Sequence, residues 1–222
     1  MKFKFLGIAG VLLGGMFVSQ TAFAAEVQEP FESPATVEFE MNTTIPNEPG
    51  GEKDDDGNNN DIIPTTQVGP LTVDVVPKAE FGMHTVPTQQ ETYEANNQLP
   101  YLQVTEQRGA DSDGWNVAVK MTQGFTDGTN SFEGLLTFQN ATVKSVGKNS
   151  SNAPVASDIT ITDAAQNILS TQDAGDGLGT WLSTYYTENE TNENISLTVP
   201  AGVSAGSYEA ELEWTISSGP TE

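Results

Sequence analysis

Two stretches of the chain alternate apolar and polar positions with a period of two. Trp115, Val117, Val119 and Met121 fall on one face, with Asn116, Ala118 and Lys120 on the other; Tyr208, Ala210, Leu212, Trp214 and Ile216 fall opposite Glu209, Glu211, Glu213 and Thr215. Successive side chains of a strand point to opposite faces, so both patterns predict strands with one wet side. Further strands are predicted at residues 71–76, 101–107, 135–146, 158–162 and 195–199, separated by turns rich in Gly, Asn, Asp and Pro. A short helical turn is expected within 179–186; elsewhere no helical period intervenes. The pattern therefore predicts an all-β domain over residues 69–222, an antiparallel β-sandwich or an open barrel.

Upstream, Val37, Phe39 and Met41 alternate with Glu38 and Glu40, again a strand by period. A lone strand has little to pack on. Residues 25–41 are therefore expected to supply the first strand of the downstream domain. The intervening residues 42–68 contain Pro46, Pro49, Pro64, Gly50, Gly51 and the run Lys53-Asp54-Asp55-Asp56-Gly57-Asn58-Asn59-Asn60-Asp61. Up to Thr66 the only aliphatics are Ile45, Ile62 and Ile63, too few to offset the entropy of ordering the segment. It is expected to be a long, disordered acidic excursion.

Residues 1–24 have the three parts of a secretory signal: Lys2 and Lys4, an apolar run from Phe5 to Val18, and Ala22-Phe23-Ala24 as a small-x-small cleavage site. The mature chain is expected to begin at Ala25, exported and without a transmembrane segment. The last residues, Gly219-Pro220-Thr221-Glu222, carry neither an apolar tail nor a basic flank, so any retention on a cell is expected to be non-covalent.

Composition narrows the chemistry. The 222 residues hold 31 acidic and 8 basic side chains, a formal charge of −23; losing Lys2 and Lys4 with the leader leaves six basic residues and −25. Such a surface repels phosphate backbones, which excludes nucleic acid as a partner. With no cysteine there is no disulfide framework, thiolate zinc site or thiol nucleophile, and a single histidine, His84, excludes a multi-histidine metal site. Glu52, Asp54 and Asp56 with Gly57 imitate the start of a calcium loop, but its twelfth position is Ile63 where a bidentate Glu is needed. His84 lies in Phe81-Gly82-Met83-His84-Thr85 with no Gly-x-Ser-x-Gly element in the chain, and no carboxylate pair stands out. No catalytic residue, metal or cofactor is expected, and the chain is read as non-enzymatic.

Trp115 and Trp214 are in phase with aliphatic neighbours and are expected to be core residues. Trp181, Tyr185 and Tyr186 follow the glycine-rich Ala174-Gly175-Asp176-Gly177-Leu178 and precede a polar stretch. Two readings of this cluster stay open: rings on a loop that stack on a sugar or anchor a protein, or a tryptophan that plugs one end of the core.

Pro100-Tyr101-Leu102-Gln103-Val104-Thr105-Glu106-Gln107-Arg108-Gly109, followed by Gly114-Trp115-Asn116-Val117, resembles the first signature of the WxL surface proteins of low-GC Gram-positive bacteria. Tyr208-Glu209-Ala210-Glu211-Leu212-Glu213-Trp214-Thr215-Ile216 resembles the second. The leader, the strand at 36–40, the acidic spacer and Gly179-Thr180-Trp181 fit the same family. Val117 and Ile216 stand where the family has leucine. The resemblance implies a cell-surface protein whose WxL domain associates non-covalently with the Gram-positive wall, with peptidoglycan as the usual proposed ligand. It also implies partners: a membrane-anchored WxL-interacting surface protein and other WxL proteins.

Two functional readings follow. In one the domain is a wall-binding module, with Trp181, Tyr185, Tyr186 and Arg108 as candidate ligand contacts and Trp115, Val117, Trp214 and Ile216 as a structural signature. In the other the protein is a subunit of a surface complex, retained through its partner by a strand added to an exposed edge and open to host or extracellular ligands. The charge of −25 weighs on the first, because such walls also carry anionic polymers. Binding would need short-range contacts or bridging divalent cations.

Overall fold

The computed structural model describes residues 34–189 and 191–219. The predicted leader, residues 1–24, lies outside the described residues. The chain divides into two units, Met1–Glu38 and Phe39–Glu222. All strands described below belong to the second.

These strands are β1 (Ile62–Pro64), β2 (Leu71–Pro77), β3 (Glu91–Ala95), β4 (Tyr101–Glu106), β5 (Trp115–Thr126), β6 (Leu135–Phe138), β7 (Thr142–Ser145), β8 (Val155–Ala156), β9 (Ile159–Ile161), β10 (Gln166–Ser170), β11 (Gly179–Thr184), β12 (Asn192–Val199) and β13 (Glu209–Ser218), with one 3₁₀ turn at Gly109–Asp111. They form three sheets, in the orders β1-β2-β4-β11-β7, β13-β5-β10-β8 and β3-β12-β6-β9. Every pairing is antiparallel. None of the sheets closes into a barrel. Their inner faces share one core, to which Leu102 and Val104 of β4, Trp115, Val117 and Val119 of β5, Phe138 of β6, Ile168 and Leu169 of β10 and Ile195 of β12 contribute fully buried side chains. The all-β antiparallel expectation is met.

Several local expectations change. The predicted strand 135–146 is two strands in different sheets, because the chain turns at Asn140, which adopts φ +54°; its N–H is held by the Asp158 carboxylate at 2.8 Å. Asparagine tolerates this left-handed conformation better than other side chains do. The helical turn expected within 179–186 is strand β11, whose Trp181, Ser183 and Tyr185 turn inward while Leu182 and Tyr186 join a second, outer cluster. Among the described residues, 36–41 carry no strand, and Val37, Phe39 and Met41 are exposed. An alternating pattern becomes a strand only when a neighbouring edge satisfies its backbone groups.

The acidic excursion is the largest correction. Its end forms β1, which pairs with β2 through Ile62↔Pro77 and Ile63↔Val76. Before that, residues 47–52 cross the outer face of the five-stranded sheet as an extended strap. Hydrogen bonds hold it there in place of apolar contacts, so a count of its aliphatic residues could not reveal it. Asp61 anchors the far side, its carboxylate accepting from Asn97 Nδ2 at 3.0 Å and from the N–H groups of Gln98 and Leu99 at 2.8 Å each.

Candidate functional site

The two signature strands are direct neighbours. β5 pairs with β13 so that Val117 lies opposite Ile216, Val119 opposite Trp214 and Trp115 opposite Ser218. Trp115 and Val117 have no exposed surface, whereas Trp214 and Ile216 are half-buried, because β13 is an edge strand with β5 as its one sheet neighbour. Trp214 meets Phe138 edge to face, centroids 6.3 Å apart, a geometry favoured by the ring quadrupoles.

The glycine-rich loop before β11 satisfies two indoles with successive carbonyls. Trp115 Nε1 donates to Gly177 O at 3.2 Å and Trp181 Nε1 donates to Leu178 O at 2.9 Å. Gly177 sits at φ +67°, and a Cβ there would stand 2.7 Å from both Trp115 Nε1 and Thr171 Cγ2. Glycine is required on both counts.

Between the strands, Arg108 closes one end of the site. Its Nε lies 3.0 Å from both Glu106 carboxylate oxygens, and its Nη2 bonds Glu106 Oε2 and reaches Gly114 O at 3.0 Å. Nη1 bonds Ser218 Oγ. Ser112 Oγ adds a further bond to Glu106 at 2.9 Å, so the fully buried carboxylate is satisfied by several donors. These bonds to Glu106 hold the guanidinium pKa above its ordinary value despite partial burial. Arg108 thereby ties β4, the start of β5 and the end of β13 together.

A family model described as "WxL domain surface cell wall-binding" matches residues 26–220, and its span takes in both paired signature strands. The chain belongs to the WxL family. The WxL domain is thus a cell-surface, cell-wall-binding module. No curated protein and no solved structure matches the chain.

The predicted contact residues of the WxL domain do not form one surface. Trp181 and Tyr185 are buried, because each points inward from β11 or its end into the shared core. Burial pushes the Tyr185 phenol pKa up, with the neighbouring Ser183 hydroxyl acting in the opposite direction. Arg108 is engaged as described. Of the two readings of the cluster, Trp181 and Tyr185 follow the one that places them in the core, and the loop placement is corrected for them; Arg108 is part-buried with its guanidinium held by Glu106, Gly114 and Ser218. Tyr186 is half-exposed on the outer side. His84 is exposed and stacks on Tyr93, ring centroids 3.9 Å apart, with Nε2 donating to Phe81 O at 2.6 Å. Among the described residues no group of three or more His, Asp and Glu could hold a metal.

Around Tyr186 the WxL domain has a polar outer face that the sequence reading passed over. Tyr101, Gln103 and Thr105 of β4 point outward opposite Leu102 and Val104, yet all three are buried. Asp74 sits in a bulge of β2, where the register to β4 shifts between Val73 and Val75. Its carboxylate accepts from Thr72 Oγ1 at 2.6 Å, Asn47 Nδ2 at 3.0 Å, Gln103 Nε2 at 3.0 Å and Thr105 Oγ1 at 2.5 Å. Four donors satisfy a buried charge without a cation. Lys144 of β7 reaches over the Tyr186 ring, 4.6 Å from its centroid, and pairs with Glu52 at 2.6 Å.

Proposed function

We propose that this domain holds its protein on the cell wall by binding peptidoglycan non-covalently. The observation that supports this most is the family match over residues 26–220, which takes in every strand of the fold. A formal charge of −23 argues against attraction to anionic wall polymers and favours short-range recognition of the less charged peptidoglycan mesh. Sedimentation with purified sacculi stripped of anionic polymers tests it. Co-sedimentation that survives moderate salt is expected, and a protein that stays in the supernatant rejects the reading. Elution by a chelator alone would assign the contact to bridging divalent cations.

A second reading has its own support. β13 is ten residues long, one of its edges has no strand neighbour among the described residues, and its inward row Ala210, Leu212, Trp214 and Ile216 is only half-buried. An added strand would satisfy that edge and cover the row. In this reading a WxL-interacting surface protein or another WxL protein retains the chain. Binding to a recombinant partner ectodomain without wall would support it; no binding at micromolar concentration would reject it.

A further inference from the structure

The strap over the five-stranded sheet is read by side chains in the way a bound peptide is read. Gln103 addresses the backbone on both sides of the strap's glycine pair: its Oε1 accepts from Gly50 N–H at 2.7 Å and its Nε2 donates to Glu48 O at 2.9 Å. Tyr186 OH accepts from Glu52 N–H at 2.8 Å, and Lys144 neutralises the Glu52 carboxylate. Two consecutive positions must lack side chains. A Cβ on Gly51 would stand 2.3 Å from the Tyr101 ring, and one on Gly50 would stand 2.9 Å from Val146.

Ordinary loop anchoring uses loop side chains to bond the scaffold's backbone. Along residues 48–52 scaffold side chains bond the strap's backbone, groups that any extended peptide would also offer. The face beneath, with Tyr101, Gln103 and Asp74 almost wholly buried under a strap whose residues are alternately exposed and half-buried, has the aromatic and amide character of a binding surface.

We propose that this outer face, formed by Tyr101, Gln103, Lys144 and Tyr186, is a binding site for extended peptides with two adjacent glycines and a following carboxylate, and that residues 48–52 occupy it in cis. Resting on the wall-binding reading above, the ligand in trans is the peptide part of the wall polymer and not its glycan. The strap is then a tethered competitor that a wall peptide at high local density displaces. It is held by polar bonds and sits on the surface, so it opens at lower free energy than the core.

The probe is a blocked synthetic peptide of residues 47–53, titrated calorimetrically into the full chain and into Gly51→Val, whose added side chain evicts the strap from the Tyr101 ring. Thermal melting establishes that the variant is folded; the milder Glu52→Ala, which loosens the strap and leaves Lys144 in place, carries the titration if it is not. Peptide affinity at least about tenfold higher for Gly51→Val than for the unaltered chain is expected, because the tethered competitor is gone. A peptide carrying valine at the second glycine should not bind. A folded variant that ignores the peptide, or binds both peptides equally, overturns the inference. Sacculus sedimentation separates it from the reading it rests on: protein bound to sacculi that excess peptide does not release rejects the peptide site while wall binding stands. Peptide bound without sacculi leaves the site standing and removes the wall as its source.

Discussion

Val117 and Ile216 face each other directly across the β5–β13 ladder, one fully buried and the other half-buried. They are the positions where the chain departs from the leucines of its signatures, and their pairing makes the two motifs one structural unit. Val117→Ala should destabilise by about 2 kcal/mol and Ile216→Ala by about 1 kcal/mol, because part of the Ile216 side chain is already wet. A double-mutant cycle on denaturant unfolding should give a coupling of roughly 0.5–1 kcal/mol. Strict additivity would mean that the two signatures are energetically separate.

Gly177→Ala should be costly for two reasons, left-handed backbone and collision with the Trp115 indole. Together they amount to about 3 kcal/mol, a fall in Tm of roughly 6–12 °C for a domain of this size. Gly175→Ala supplies the comparison. Its φ is +81°, but nothing lies within 4 Å of an added Cβ, so only the backbone part, about 1–2 kcal/mol, should appear. Equal losses in the two variants would show that the contact with Trp115 contributes nothing.

Arg108→Ala should reduce stability by about 3 kcal/mol, because it leaves the Glu106 carboxylate buried with fewer donors. Arg108→Lys should recover only part of this, since an ammonium cannot reproduce the bidentate fork. Sacculus binding per folded molecule should be unchanged in both. A folded Arg108→Lys protein that no longer sediments with wall would return Arg108 to the ligand contacts.

The strap adds a pH signature. Burial pushes the Tyr186 phenol up to about 12 from its ordinary 10.0. A group whose folded pKa is raised contributes stability that is fully present below pH 10.0 and is lost as pH rises through about 12. The melting temperature should therefore drop more steeply over this alkaline window in the unaltered chain than in Tyr186→Phe. Tyrosinate absorbance followed in parallel should show a late-titrating phenol that the variant lacks. The same slope in both proteins would dissociate Tyr186 from the alkaline transition.

The strands that could be read from sequence are those with a clean phase and one wet face, β5 and β13 above all. β10 and β11 were harder for a physical reason: β11 is buried on both sides, and its Gly-Thr-Trp-Leu-Ser-Thr has no polar row to mark a face. In β4 the alternation of Leu102 and Val104 with Tyr101, Gln103 and Thr105 looks like a strand with a wet side. Only the strap's hydrogen bonds reveal that this side is covered. The strap escaped notice because composition measures apolar burial and is blind to a polar segment satisfied by Gln103, Tyr186 and Lys144. Conversely, Trp181 and Tyr185 seemed available because glycines precede them; those glycines instead bend the chain so that its carbonyls can meet the indoles.

The place of β13 in the chain governs when the domain can be completed. Trp214 must find Val119, and Ile216 must find Val117, across almost a hundred intervening residues. A chain emerging from its amino end has β5 in hand long before β13 exists, so one flank of the Trp115 row stays unprotected until residues 209–218 arrive. Closure across such sequence distances is slow. Until residues 209–218 pair, that edge of β5 lacks its ladder partner, and completion of this sheet waits on the last of the described strands.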